Sequence, residues 1–119
     1  MKDFRTLKVW ELSHRLTLDI YKVTGQFPKD ELFGLVSQMR RSSSSIPTNI
    51  AEGCGRRTQT DFAQFLQIAF GSANEIEYQI LLAADLFYIT REKEVELSSK
   101  IIEIKRMLSA LISKLREKS

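Results

Sequence analysis

Residues 40–58 read RRSSSSIPTNIAEGCGRRT, and how this stretch is read decides the fold. Four serines and a proline suggest a flexible linker. Gly53 and Gly55 followed by Arg56 and Arg57 suggest a phosphate-cradling loop. Met39 just before the stretch, with Ile46 and Ile50 inside it, suggests a helix. The linker fails because those apolar residues keep helical register across the serines, which a linker has no reason to do. The phosphate loop fails because the lysine and spacing of a P-loop are missing, as is the third glycine of a dinucleotide fingerprint, and no strand precedes. A helix remains. Its small residues, Ser42 to Ser45 and Ala51, let a neighbouring backbone approach opposite Phe65 or Phe70. Pro47 removes one helical N–H, leaves the Ser43 carbonyl without its usual partner, and is expected to bend the helix. A hydroxyl or water must then satisfy that carbonyl. Asn49 and Glu52 share a face and are placed to bond the backbone of the next helix or turn. Gly53 and Gly55 end the helix.

Working outward, the same spacing recurs. Val9, Leu12, Leu16, Ile20, Val23 and Phe27 form one stripe at intervals of three and four, stopped by a left-handed cap at Gly25 and by Pro28. Asp30 is the expected N-cap of the second helix, whose stripe is Leu32, Val36, Met39, Ser43, Ile46 and Ile50. Thr58 caps a long third helix with Phe62, Leu66, Ala69, Ala73, Ile76, Ile80, Ala83 and Phe87 inward. Thr90 caps a fourth with Leu97, Ile101, Ile104, Leu108, Leu111 and Leu115. The expectation is all-α: an antiparallel up-and-down four-helix bundle, with helices about 7–25, 30–53, 59–89 and 91–117 in a single domain spanning 1–119. Trp10, Tyr21, Phe65, Phe70, Leu81, Ile102 and Ile112 lie off these stripes. They suggest either a broad core face or a second apolar face covered by another subunit, and self-association is the favoured reading.

Composition narrows the class. With 43% apolar and 28% charged residues, the chain has enough hydrophobicity to fold. A lone cysteine, Cys54, excludes an internal disulfide and fits a reducing compartment; the N-terminal charges do not read as a secretory signal, so a cytoplasmic protein is expected. No apolar run suits a bilayer span. The net charge of +3 is unevenly spread: no Lys or Arg lies between Arg57 and Arg91, so the third helix is acidic and the rest basic. That balance makes contact with a polyanion plausible.

Catalytic chemistry finds little support. His14 and Cys54 are single residues on different elements, and Glu75 and Glu77 point in different directions on a helix. No metal site or cofactor is expected, and neither is an enzyme. Glu75 borders the third stripe and is expected to bond an arginine of the second helix such as Arg40. Because Arg40 and Arg41 are adjacent, one of them is expected to face solvent. The candidate nucleic-acid contacts are Arg40, Arg41, Arg56 and Arg57, with Lys114, Arg116 and Lys118 as a second set. Arginine suits phosphate because its planar fork donates two parallel hydrogen bonds. Pro47, Asn49, Glu52, Gly53 and Glu75 are the structural candidates.

Three blocks also carry a family resemblance: FRTLKVWELSHRLTLDIYKVT (4–24), FPKDELFGLVSQMRRSSSSIPTNIAEGCGR (27–56) and FAQFLQIAFGSANEIEYQI (62–80). Together they resemble the four-helix-bundle proteins encoded in intervening sequences of bacterial 23S rRNA genes. That resemblance implies an up-and-down bundle that assembles into homo-oligomers, typically a pentamer. Related proteins act as accessory factors for reverse transcriptases of diversity-generating retroelements, where a basic surface meets nucleic acid and the polymerase. The implied partners are RNA or DNA, a reverse transcriptase or a ribosomal component. Two functions follow as expectations: an RNA-binding oligomeric scaffold, or a protein-interaction scaffold with no nucleic-acid role.

Overall fold

The computed structural model describes residues 2–117. Four α-helices carry the chain: α1 (Lys8–Thr24), α2 (Ser37–Cys54), α3 (Gln59–Asp85) and α4 (Arg91–Glu117). Side-chain bonds show that neighbours run in opposite directions. Thr17 and Thr24 of α1 meet Ser43 and Arg40 of α2 in falling order, and Ser42 and Ser45 of α2 meet Gln79 and Ser72 of α3 likewise. Each helix packs on the next in chain order, and α4 closes the bundle on α1. The principal extents are 46 × 23 × 20 Å. At 1.5 Å per residue the 27 residues of α3 account for most of the long axis.

The core is the set of stripes facing one another. Leu16, Ile20, Met39, Ile46, Ile50, Leu66, Ile76, Ile80, Leu97, Ile101, Ile104 and Leu108 are all fully buried. Removing any of them to alanine would cost about 2–5 kcal/mol in lost transfer energy and residual cavity. Five stripe positions depart from the expectation, Leu12 and Val23 of α1 being only half-buried. Leu32 is half exposed because the chain reaches α2 through a 3₁₀ turn (Lys29–Glu31) and a wide π turn (Leu32–Val36), which put Leu35 into the core instead. Phe87 is 91% exposed because α3 has already ended at Asp85. Leu111 is only half-buried, and Ile112 is buried beside it.

Caps were legible where threonine supplies them. The Thr58 hydroxyl accepts from Asp61 N at 3.1 Å, and that of Thr90 from Lys93 N at 3.0 Å. Asp30 is not the cap of the second helix. The neighbouring Glu31 accepts from Leu35 N at 3.2 Å and also takes the Tyr88 hydroxyl at 2.8 Å, tying the α2 start to the α3–α4 turn. The left-handed cap expected at Gly25 is also absent, since Gly25 has φ −62. Among the described residues the one non-glycine at positive φ is Phe87, at φ 63. Its N–H donates to Ala84 O and that of Tyr88 to Ala83 O, the paired closure of a helix end that normally selects glycine.

α2 runs through Pro47 without interruption from Ser37 to Cys54; the departure from helical backbone angles lies instead at Gly34. The orphaned carbonyl is satisfied across the helix interface. The buried Thr17 hydroxyl of α1 shares its proton between Ser13 O at 2.9 Å and Ser43 O at 3.0 Å. The serines serve the α2–α3 contact: Ser42 donates to Gln79 Oε1 at 2.6 Å in a buried position, and Ser72 donates to Ser45 at 2.9 Å. The two helices also pack tightly at Gly53. A Cβ there would stand 2.8 Å from Phe62 Cδ1 and 3.0 Å from Phe65 Cβ, so this glycine is needed for packing as well as for stopping the helix. Asn49 does not reach the next helix. It donates to Ser45 O and Ser45 Oγ one turn back, and joins α3 only through the Ser45–Ser72 bond. No buried side-chain nitrogen or oxygen among the described residues lacks a partner.

Candidate functional site

The fold separates the arginines that the sequence presents as one block. Arg40 faces inward. Its Nε donates to Thr24 Oγ1 at 3.0 Å and its NH2 to Tyr21 O at 3.1 Å, with the guanidinium 4.7 Å from the Tyr21 ring centroid. It thus closes the last turn of α1, where a cation meets the negative end of the helix dipole. The expected Arg40–Glu75 bond is not made, because that geometry commits the guanidinium to α1. Glu75, though it borders the third stripe, is exposed, and shares with Arg41, Ser42, Ser45 and Ser72 a groove of about 390 Å³ between α2 and α3. Arg41 is exposed and has no ion pair among the described residues, so one arginine of the pair does face solvent.

Arg56 and Arg57 lie at the other end of α2, where the chain turns into α3. Glu52 holds Arg56 at 3.3 Å, and the Arg56 guanidinium stands 4.6 Å from the Phe65 ring centroid. Glu52 is thereby spent within its own helix end rather than on the next element. Arg57 is exposed and makes no ion pair among the described residues. A cleft of about 180 Å³ here is lined by Lys2, Arg56, Arg57, Thr58, Gln59 and Leu115 among others. Leu115 marks the arrival of α4, so the antiparallel topology brings Lys114 and Arg116 to this same end. Lys2 is an addition that no local pattern in the sequence signals; it is placed by a backbone bond from Lys2 N to Cys54 O at 3.5 Å. Lys118 lies outside the described residues. The α3 N-terminus opens on the same cleft, with its first amide groups and positive dipole end.

Most other charges are paired. Lys105 of α4 bonds Glu77 of α3 at 2.8 Å, and Lys100 of α4 bonds Asp19 of α1 at 2.8 Å. The acidic α3 therefore spends part of its charge inside the chain. The remaining titratable groups do not converge on chemistry. Cys54 is buried, and that burial pushes its thiol up, away from a reactive thiolate. His14 is exposed and stacks on Trp10 with ring centroids 5.1 Å apart. Among the described residues no group of three or more His, Cys, Asp or Glu could hold a metal ion. No described helix is long and apolar enough to cross a membrane.

An all-helical up-and-down bundle with one cation-rich end is the class these features define. The family follows from comparison. Residues 5–110 match the model of the 23S rRNA-intervening sequence protein family, and the chain belongs to that family. Its fold is also that of a crystal structure from Bacteroides thetaiotaomicron, described as a protein with unknown function from the S23 ribosomal protein family. The two share 30% identity over 88% of this chain and 95% of the other, with a TM-score of 0.81. Among curated proteins nothing matches.

Proposed function

We propose that this chain is a non-enzymatic, homo-oligomeric scaffold that binds nucleic acid, RNA foremost, through the cation-rich end of its bundle. The observation that carries this reading is that Lys2 and Arg57, neither with an ion pair among the described residues, line one cleft beside the α3 N-terminus, at the end of the bundle where the last turn of α4 brings Lys114. Unpaired cations on a rigid surface are free to displace counterions from phosphates, which supplies most sequence-independent affinity. One such end is a weak site. An oligomer, a pentamer by the family resemblance, repeats it and gains by avidity. The expected partners are RNA or DNA, with a reverse transcriptase or a ribosomal component as protein partner, in the cytoplasm. Binding of structured RNA and duplex DNA across a salt series tests it. The expected result is affinity at low salt that falls steeply with salt and drops on Arg57→Gln or Lys114→Gln. No affinity at low salt, or indifference to both substitutions, overturns the reading.

Oligomerisation draws support from Gly71. This glycine sits in the middle of α3, where it costs about 1 kcal/mol relative to alanine. A Cβ added there would have nothing within 4 Å, so packing inside this chain does not require it. Exposed Ile68, Tyr78 and Leu81 lie on the same helix. A second chain approaching that face closely would account for all four residues. Light scattering tests it: Gly71→Arg is expected to dissociate the oligomer, and a wild-type monomer at micromolar concentration would refute it. The alternative, a protein-interaction scaffold with no nucleic-acid role, is favoured by Phe87, which keeps a fully presented ring at a left-handed backbone position. An oligomer that dissociates at high salt and never binds nucleic acid would select that alternative.

A further inference from the structure

A groove of about 540 Å³ runs along the outward side of α1 and α2, away from the cation-rich end, and the reading above leaves it unused. Phe33 forms one end of it and is 93% exposed. Along α2 the lining continues through Ser37, Arg40 and Arg41 to Ser44, with Tyr21 of α1 opposite. Both charged side chains lining it are arginines. From Phe33 to Ser44 the chain advances roughly 16 Å if counted at the helical rise. Two features go beyond a generic apolar hollow. Arg40 is anchored by two hydrogen bonds and lies over the Tyr21 ring, so a rigid cation–aromatic surface forms the wall of the groove. Arg41 beside it has no ion pair among the described residues.

We propose that this groove binds single-stranded nucleic acid, a base stacking on Phe33 and the backbone phosphate engaging Arg41. An exposed aromatic ring next to an uncommitted guanidinium is the combination such strands select. Every base offers a π-face and every nucleotide a phosphate, whereas the bases of a duplex are already stacked on each other. Ser37 and Ser44 add hydroxyl partners along the track. The positive sign of the lining argues for an anionic strand over an apolar peptide. This inference rests on the nucleic-acid reading and deepens it: the cation-rich end would take phosphate in any strand form, and the α1–α2 groove would add preference for unpaired bases.

The test compares a short labelled oligouridine with a labelled RNA duplex of equal length, by fluorescence anisotropy on the full chain. Phe33→Ala is expected to weaken single-strand binding roughly 5- to 150-fold, the range for removing one base-stacking aromatic, and to leave duplex binding unchanged. Phe33→Trp should keep the affinity. Arg41→Gln should reduce the salt slope on the single strand by about 0.7, the contribution of one phosphate contact. Phe33 is so exposed that its truncation should leave thermal unfolding in place, which circular dichroism checks. The inference falls if Phe33→Ala affects neither oligonucleotide or both equally. It also falls if that variant dissociates the oligomer in light scattering, because the groove would then hold a second copy. Duplex binding that survives Phe33→Ala but is lost with Arg57→Gln keeps the cation-rich end standing whatever the outcome at the groove. Binding of oligouridine that depends on Phe33 when no duplex binds would reverse those fates.

Discussion

Replacing Thr17 by valine isolates the contact that lets a proline sit inside α2. The side chain keeps its shape and loses its hydroxyl, so Ser43 O, unable to receive an N–H from Pro47, is left buried without a donor. Leaving a buried carbonyl unpaired costs about 1–3 kcal/mol. The Thr17 proton is shared with Ser13 O, which keeps its own position in α1, so a value near the middle, about 1.5 kcal/mol, is expected. With an unfolding entropy of about 2.1 cal/mol/K per residue over 119 residues, this lowers the melting temperature by about 6 °C. The decisive measurement is a double-mutant cycle by urea and thermal denaturation, at one protein concentration. In a Pro47→Ala background the alanine amide can donate to Ser43 O, and Thr17→Val should then cost only a few tenths of a kcal/mol. The expected coupling is about 1 kcal/mol. If Thr17→Val costs the same in both backgrounds within about 0.5 kcal/mol, the two sites are independent and the reasoning is wrong.

Three further outcomes are expected. Gly53→Ala should destabilise by about 1–3 kcal/mol in urea denaturation, because a Cβ there meets the Phe62 ring at 2.8 Å and Phe65 Cβ at 3.0 Å, so the ring and the α3 backbone must both shift. Phe87→Gly should stabilise the isolated chain by about 0.5–1 kcal/mol, since it relieves a left-handed conformation at a side chain that buries almost nothing; loss of partner binding in the same variant would show what the ring is for. The hydrogen bond to Asp19 holds the Lys100 ammonium above the usual lysine range, so its contribution is complete below the unfolded-state value and is lost as pH rises through the folded one. Asp19→Asn should therefore flatten the alkaline end of the stability profile, by a small and salt-sensitive amount because both groups are partly exposed.

Among the site residues, legibility tracked how local the determining interaction is. Arg56 and Arg57 were recognisable because a glycine stop precedes them and a threonine cap follows. That Arg40 closes α1 was not recognisable, because it depends on Thr24 and Tyr21, sixteen and nineteen positions away. Adjacent in sequence to Arg41, it has the opposite fate. The exposure of Phe33 is hidden in the sequence for a related reason. The spacing carries the helical stripe back to Leu32, and only the non-helical angles at Gly34 (φ −110, ψ −110) show that the register shifts there. Lys114 and Arg116, read as a separate set, share an end with Arg57 because an antiparallel α4 returns to where α3 began.

By itself the sequence determined the helices, the faces they bury, the threonine caps and the family, because a 3.6-residue period and a capping hydroxyl act within a few positions of the chain. The tertiary structure decided which cations are spent and which remain free. It decided that Thr17 supplies what Pro47 removes, that α3 leaves no room for a Cβ at Gly53, and that Gly71 and Phe33 face outward with no use inside this chain. Each of these turns on the distance between atoms far apart in sequence. Those distances are set by how four stripes mesh, and no single stripe encodes them.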